Sequence, residues 1–158
     1  MDLIDKETGD KLNGIIELLD EDKIASLSNS KNFTFDWGIE KNNQVYTISI
    51  INDNEILGLM SIIDVPHEFR IHINLIEAAK GQRGKHKTIL NIPGCLIAFA
   101  CRTAFKKGYD GFVSLTPKTR LRNYYSKTYG FMGMGTQMAV FGQDSFLIIQ
   151  KYLQDEEI

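Results

Sequence analysis

The chain has only two cysteines, three prolines and one tryptophan, and neither charge sign dominates it. It also has no apolar run near the ~20 residues that a membrane helix needs. Each shortage excludes something. The start, Met1-Asp2-Leu3-Ile4-Asp5, offers neither the cationic region nor the apolar stretch of a secretory signal, so a cytoplasmic location is expected and no membrane partner. Cys95 and Cys101 lie on different faces of one apolar helical segment, too far apart for a disulfide, and read as buried thiols. The histidines His67, His72 and His86 have no ligand spacing among themselves or with the cysteines, so no metal is expected. A net charge of −2 and a pI near 5.9 give no basic surface for bulk nucleic-acid binding.

What is present suits one α/β domain spanning residues 1–158, with the acidic tail 154–158 frayed. Leu12, Ile15, Ile16 and Leu19 recur at helical spacing behind Thr8, a capping residue, which predicts an amphipathic helix over 8–19. A short helix is expected at 22–27. Phe33, Phe35 and Trp37 alternate with polar residues as a first strand. Residues 46–50 and 56–63 then form a hairpin around Asn52-Asp53-Asn54-Glu55. Pro66-His67 breaks it, and 69–78 is a fourth strand. There Ile71, Ile73 and Leu75 share one face until Ile76 and Ala78 reverse the parity, which is the mark of a β-bulge. A buried helix over 94–107, a strand over 111–116 and a polar, aromatic helix over 118–128 follow. Met132 to Gly135 reads as a flexible connection, and strands at 138–141 and 146–152 end the order. The sheet is expected to be mixed, mostly antiparallel and flanked by helices.

The densest chemical signal is Lys80, Arg83, Lys85, His86 and Lys87, interleaved with Gly81 and Gly84, ahead of an apolar helix opening at Pro93-Gly94. Glycines let backbone N–H groups approach a phosphate, and a helix start adds partial positive charge. The run is no P-loop: its glycine spacing is too short, and His86 stands where a magnesium-binding hydroxyl is needed. A dinucleotide Gly-x-Gly-x-x-Gly turn is absent, and the early strands form hairpins instead of βαβ units.

From Ile73 onward the chain resembles the GCN5-related N-acetyltransferase (GNAT) family. The family pattern Leu-x-Val-x-Pro-x-x-Arg/Gln-x-x-Gly-x-Gly/Ala runs in step with Ile76-Glu-Ala78-Ala-Lys-Gly-Gln-Arg83-Gly-Lys85. His86 to Leu90 then interrupts it as an insertion, and Asn91-Ile92-Pro93-Gly94 takes up its second part. A second resemblance lies in Tyr124-Tyr125-Ser-Lys-Thr-Tyr129-Gly130-Phe131, similar to the penultimate helix of the family, with four residues between Tyr125 and the glycine where three are common. The likeness covers about residues 33–153.

The resemblance implies a GNAT-like fold and transfer of the acetyl group of acetyl-CoA to a primary amine by direct attack in a ternary complex. Acetyl-CoA is then the cosubstrate, with no metal. Tyr125, or Tyr124, protonates the departing thiolate, and Glu77 is the base, with His72 and Glu68 behind it; the equal alternative for Glu77 is a structural ion pair with Lys80 or Arg83. The strand amides at Ile76 and Ala78 face the thioester. Arg83, Gly84, Lys85, Gly94 and Cys95 hold the pyrophosphate, and Asn123 touches the cofactor's pantetheine or adenosine end. The implied partner is an amine acceptor the sequence does not identify, and a homodimer is left open. Two other classes stand beside this one: a CoA- and partner-binding module without turnover, and a tRNA-directed acetyltransferase drawing on Lys106, Lys107, Lys118, Arg120 and Arg122.

Overall fold

The computed structural model describes residues 1–153; the expected frayed tail lies outside the described residues. Two sheets form. Strands β1 (Leu3–Asp5), β2 (Lys11–Leu12) and β7 (Ile89–Leu90) make a small one in the order β2-β1-β7. The main sheet contains β3 (Gly14–Leu18), β4 (Gln44–Ile50), β5 (Gly58–Val65), β6 (Arg70–Ala78), β8 (Val113–Leu115), β9 (Met132–Met134) and β10 (Gln137–Val140). Its order is β3-β4-β5-β6-β8-β10-β9, antiparallel throughout except for the β6–β8 pair. Helices α2 (Ile92–Lys106) and α4 (Gly142–Leu153) cover one face, and α3 (Arg122–Tyr129) lies at its edge. The short α1 (Glu21–Ala25) and a 3-10 turn, Trp37–Glu40, cover the other.

Strand alternation divides the core. Ile48, Met60, Ile62, Ile71 and Ile73 meet α2 and α4, while Val45, Leu59 and Leu75 meet Ile24, Phe33 and Trp37. The register of β5 on β6 passes from Ser61↔Leu75 to Ile62↔Ile73, so Asn74 has no partner across the ladder. The bulge thus lies at Asn74, earlier than the sequence pattern suggested. It explains why Ile76 and Ala78 return to the α2 face while Leu75 and Glu77 turn to the other.

Four expected elements differ. Residues 8–19 are strand and turn, not helix. Asp5 Oδ1 accepts the Glu7 and Thr8 amides, and Thr8 Oγ1 accepts the Asp10 amide, so Thr8 caps a turn. Gly14 then lies so close to Leu3 that a Cβ there would fall 2.6 Å from Leu3 Cδ1, and β3 pairs with β4 from Gly14↔Ile50 to Leu18↔Tyr46. Residues 33–37 are not a strand, for a reason that belongs to the site. Residues 146–152 are helix: Ser145, Ile148, Ile149, Tyr152 and Leu153 form a 3.6-period stripe on α2, and this packing overrides their β-branched character. Met132–Met134, expected as a connection, is the edge strand β9 on β10.

Gly94 is required by this packing. A Cβ there would lie 2.5 Å from a Tyr152 ring carbon, and Tyr152 is itself buried. Gly94→Ala is expected to lower stability by about 1–3 kcal/mol through overpacking, and Gly94→Ala/Tyr152→Leu to recover part of the loss; urea unfolding of both variants checks this.

Candidate active site at the β6–β8 cleft

Strands β6 and β8 pair only from Ile71↔Val113 to Ile73↔Leu115. Beyond Leu115 the chain leaves through Thr116-Pro117, while β6 continues to Ala78, so the two strands part. The Ala79 amide donates to Leu57 O on the β5 side. By alternation the Ile76 and Ala78 N–H groups face the opposite, open edge of β6.

Two cavities meet this edge. One of about 250 Å³ is lined by Phe35, Ile73, Asn74, Leu75, Ile76, Leu115, Lys118, Leu121 and Tyr125. The other, about 540 Å³, is lined by Ala78, Gln82, Arg83, Gly84, Lys87, Ile92, Pro93, Leu121, Tyr124, Tyr129 and Tyr152. Leu121 lines both and sits between them.

Tyr125 and Tyr124 fall on different cavities. The Tyr125 side chain packs on Phe131 and the main core, and its hydroxyl makes no hydrogen bond with the described residues. Burial, and secondarily the neighbouring Tyr124, pushes its pKa up, so it holds its proton across the neutral and mildly alkaline range. Tyr124 is half exposed, and its hydroxyl lies 3.3 Å from that of Tyr129. Burial, then the Tyr124 hydrogen bond, raises Tyr129 as well.

Glu77 does not have the surroundings of a free base. Its carboxylate accepts from the Thr34 amide at 2.6 Å, the Phe35 amide at 3.2 Å and Trp37 Nε1 at 2.9 Å, and it is ion-paired with Arg83. Burial alone would push the carboxyl up, but these donors together outweigh it and hold it below the usual carboxylate range. The same bonds explain why 33–37 is no strand, because a side chain takes the N–H groups a ladder would use.

The other expected site residues divide. Arg83 lines the larger cavity, but its Nε donates to Ala78 O at 2.9 Å and Nη1 to Thr34 Oγ1 at 2.9 Å, so much of its guanidinium serves structure. Gly84 lines that cavity as well. Lys85 lies in a separate surface groove with Asp5–Glu7, and Lys87 takes the place on the cavity that Lys85 was expected to hold. The Cα of Gly94 is packed under the Tyr152 ring and Gly94 does not line the larger cavity; the Cys95 amide donates to Asn91 O at 2.9 Å and its thiol to Tyr152 O, so the Cys95 N–H is committed within the helix. Asn123 is exposed and lines neither cavity. His72 Nδ1 lies 2.8 Å from Ser114 Oγ and 3.2 Å from Arg70 Nη1; burial, then the Arg70 charge, lowers its pKa. Glu68 pairs with Arg70 at the far end of β6. Cys101 is buried and pushed up to about 12 by burial, as an inert thiol should be.

Asn74, Glu40 and Tyr152 were not singled out from the sequence. The broken parity of β6 was the one available signal for Asn74, and nothing local marks the other two.

No protein-family model matches the chain, and no curated protein matches it in sequence. Solved structures do. Nourseothricin acetyltransferase aligns with 15% identity and a TM-score of 0.51, over 63% of this chain and 65% of that one. AtaTR bound with AcCoA aligns with 11% identity and a TM-score of 0.60, over 86% and 98%. Mutant forms of the spermidine/spermine N-acetyltransferase SpeG from Vibrio cholerae align with 13% identity and a TM-score of 0.60, over 92% and 99%. The chain has the fold of the GNAT acetyltransferases. Among the described residues no helix is long and apolar enough to cross a membrane.

Glu77→Gln is expected to cost about 1.5–3 kcal/mol, the worth of hydrogen bonds to a charged group. Because the folded carboxyl titrates below its unfolded value of about 4.3, its contribution is present above that pH and is lost as pH falls through the lower folded value. Urea unfolding from pH 7 to pH 3 should therefore show a shallower acid decline in the variant than in the parent.

Proposed function

We propose that the protein is an acetyl-CoA-dependent N-acetyltransferase acting on a primary amine. One observation carries this reading: the open edge of β6, with the Ile76 and Ala78 amides free, joins a cavity bearing Arg83 and Lys87 to a cavity bearing an unbonded tyrosine hydroxyl. The named neighbours support it, one being bound with AcCoA and another a spermidine/spermine N-acetyltransferase.

The residues present fit acetyl-CoA. The larger cavity offers cations at Arg83 and Lys87 and backbone at Gly84 for a pyrophosphate, and the Ile92 amide at the first turn of α2, where Pro93 has no N–H. The β6 edge offers the Ile76 and Ala78 N–H groups to an extended amide chain, as an exposed strand edge does to any added strand. Acetyl-CoA would supply an acyl group on a good leaving thiolate. An N–H at the open edge near the bulge stabilises charge growing on the acyl oxygen. Tyr125 donates its hydroxyl proton to the sulfur as the C–S bond breaks and the new C–N bond forms, and the proton lost by the amine nitrogen restores the hydroxyl through solvent. Glu77 holds the wall of this site and leaves deprotonation of the amine to other groups or to water.

The covered start of α2 favours one second reading, a CoA-binding module that does not turn over. Retained CoA affinity with no acetylation across a panel of primary amines would establish it.

Calorimetric titration with acetyl-CoA, and with CoA lacking the 3′-phosphate, tests the cofactor; no binding at millimolar ligand removes the proposal. Lys87→Ala is expected to weaken binding by about 1.5–3 kcal/mol, the worth of a charge-assisted phosphate contact. Tyr125→Phe should lower turnover with CoA affinity nearly intact. A raised tyrosine pKa extends its acid form upward, so turnover of the parent should show no alkaline loss from this group below about pH 10. Steady-state rates across pH on both proteins check it.

A further inference from the structure

The two cavities of the cleft are cationic. Arg83 and Lys87 line the larger and Lys118 the smaller, and no aspartate or glutamate of the described residues lines either. Glu40 accepts from Asn74 Nδ2 at 2.6 Å, and Glu77 is taken up by its three donors and Arg83, so both acids stay outside the cavities. Arg83 and Lys87 face a pyrophosphate on their side of Leu121. Lys118 lies on the other side, in the cavity of about 250 Å³ that holds Tyr125, and pairs with no carboxylate among the described residues. Its ammonium stands 6.0 Å from the centre of the Phe35 ring. Such a contact at an exposed site contributes little to stability, so an anionic ligand can displace it. The segment after Lys118 brings no acid either: the turn Thr119–Leu121 and the first turn of α3 hold none, while Arg120 and Arg122 flank Leu121.

We propose that Lys118 is the subsite for a carboxylate carried by the acceptor, and that the amine acetylated in this cavity belongs to a small apolar amino acid and not to a polyamine. An acceptor bearing only ammonium groups would meet Lys118 with like charge and find no carboxylate on the cavity wall. A zwitterion offers its carboxylate to Lys118, lays its side chain on Phe35, Leu75 and Leu121, and leaves its nitrogen for the acyl carbon. Lys118 also offsets the acceptor's own carboxylate, which would otherwise hold a proton on the nitrogen that has to attack. The assignment rests on the acetyltransferase reading for its biological use and on the charge of the smaller cavity for its chemistry.

The test uses the full chain, with and without saturating CoA, and two probes of one shape, leucine and leucinamide, which differ in the carboxylate. Each is titrated while the amide NMR signals of Phe35, Lys118 and Leu121 are followed. The expected result is saturable binding of leucine, tighter than leucinamide by on the order of tenfold or more, with shifts centred on Lys118. Lys118→Met, which keeps the length of the stem and removes the charge, should abolish the preference with CoA affinity unchanged. Lys118→Arg should retain it. Absence of saturable leucine binding, equal affinity for the two probes in the parent, or an unchanged preference in Lys118→Met overturns the subsite. Failure of acetyl-CoA to bind, with the leucine preference intact in the CoA-free protein, would instead remove the enzyme reading and leave the subsite standing.

Discussion

The Glu77 carboxylate is the constraint on which the site depends. Near the end of β6 it gathers the Thr34 and Phe35 amides, the Trp37 indole and the Arg83 guanidinium, so one side chain joins the segment before β4 to the loop after β6. Three consequences follow in space. Phe35 becomes a wall of the smaller cavity, the turn Trp37–Glu40 is delivered to Asn74, and Arg83 is turned back so that it grips the Ala78 carbonyl at the open edge. The acid expected from the sequence to be a base is bound to four groups that tie two separate segments of the chain together.

The second device is geometric. A parallel pair that stops after three register positions, beside a strand that continues, exposes backbone donors without any loop having to move. The Asn74 bulge then rotates the remaining side chains by one position. Ile76 and Ala78 stay with the core, while Leu75 and Glu77 face the opposite side. Were Asn74 part of the regular alternation instead of a bulge, Glu77 would share the face of Ile71 and Ile73 and point at the apolar α2 side, where its charge would meet no donors.

The sequence was readable where local and tertiary forces agree. The hairpin of β4 and β5, the buried α2 and the order β6, α2, β8, α3 could all be read from periodicity and punctuation, as could a bulge in β6. The basic loop and the tyrosine pair were visible as residue types. Legibility failed where a side chain or a distant surface overrides the local pattern. Leu12 to Leu19 carries helical spacing, yet Gly14 and the neighbouring β4 make it a strand. Phe146 to Tyr152 carries β-branched residues, yet the surface of α2 selects the helix. Three of the partners of Glu77 lie 40 to 43 residues before it and Arg83 alone is near in sequence, so a local window offers the ion pair and the base as equal readings and hides the other three donors. Glu40 gave no signal for the same reason, since its one partner is 34 residues away.

The start of α2 is also where distant parts of the chain converge. Tyr152 lies on Gly94, the Asp2 amide donates to the Tyr152 carbonyl at 2.7 Å, and Asn91 Nδ2 donates to the Asp2 carbonyl at 2.9 Å. These contacts close a loop of nearly the whole described chain, an arrangement with a large entropy of closure that favours late formation. During synthesis β6 and the basic loop emerge well before Tyr152 is made. A nascent chain can therefore hold its sheet while the rim of the larger cavity is unformed, and the cavity reaches its final shape only when the last helix docks.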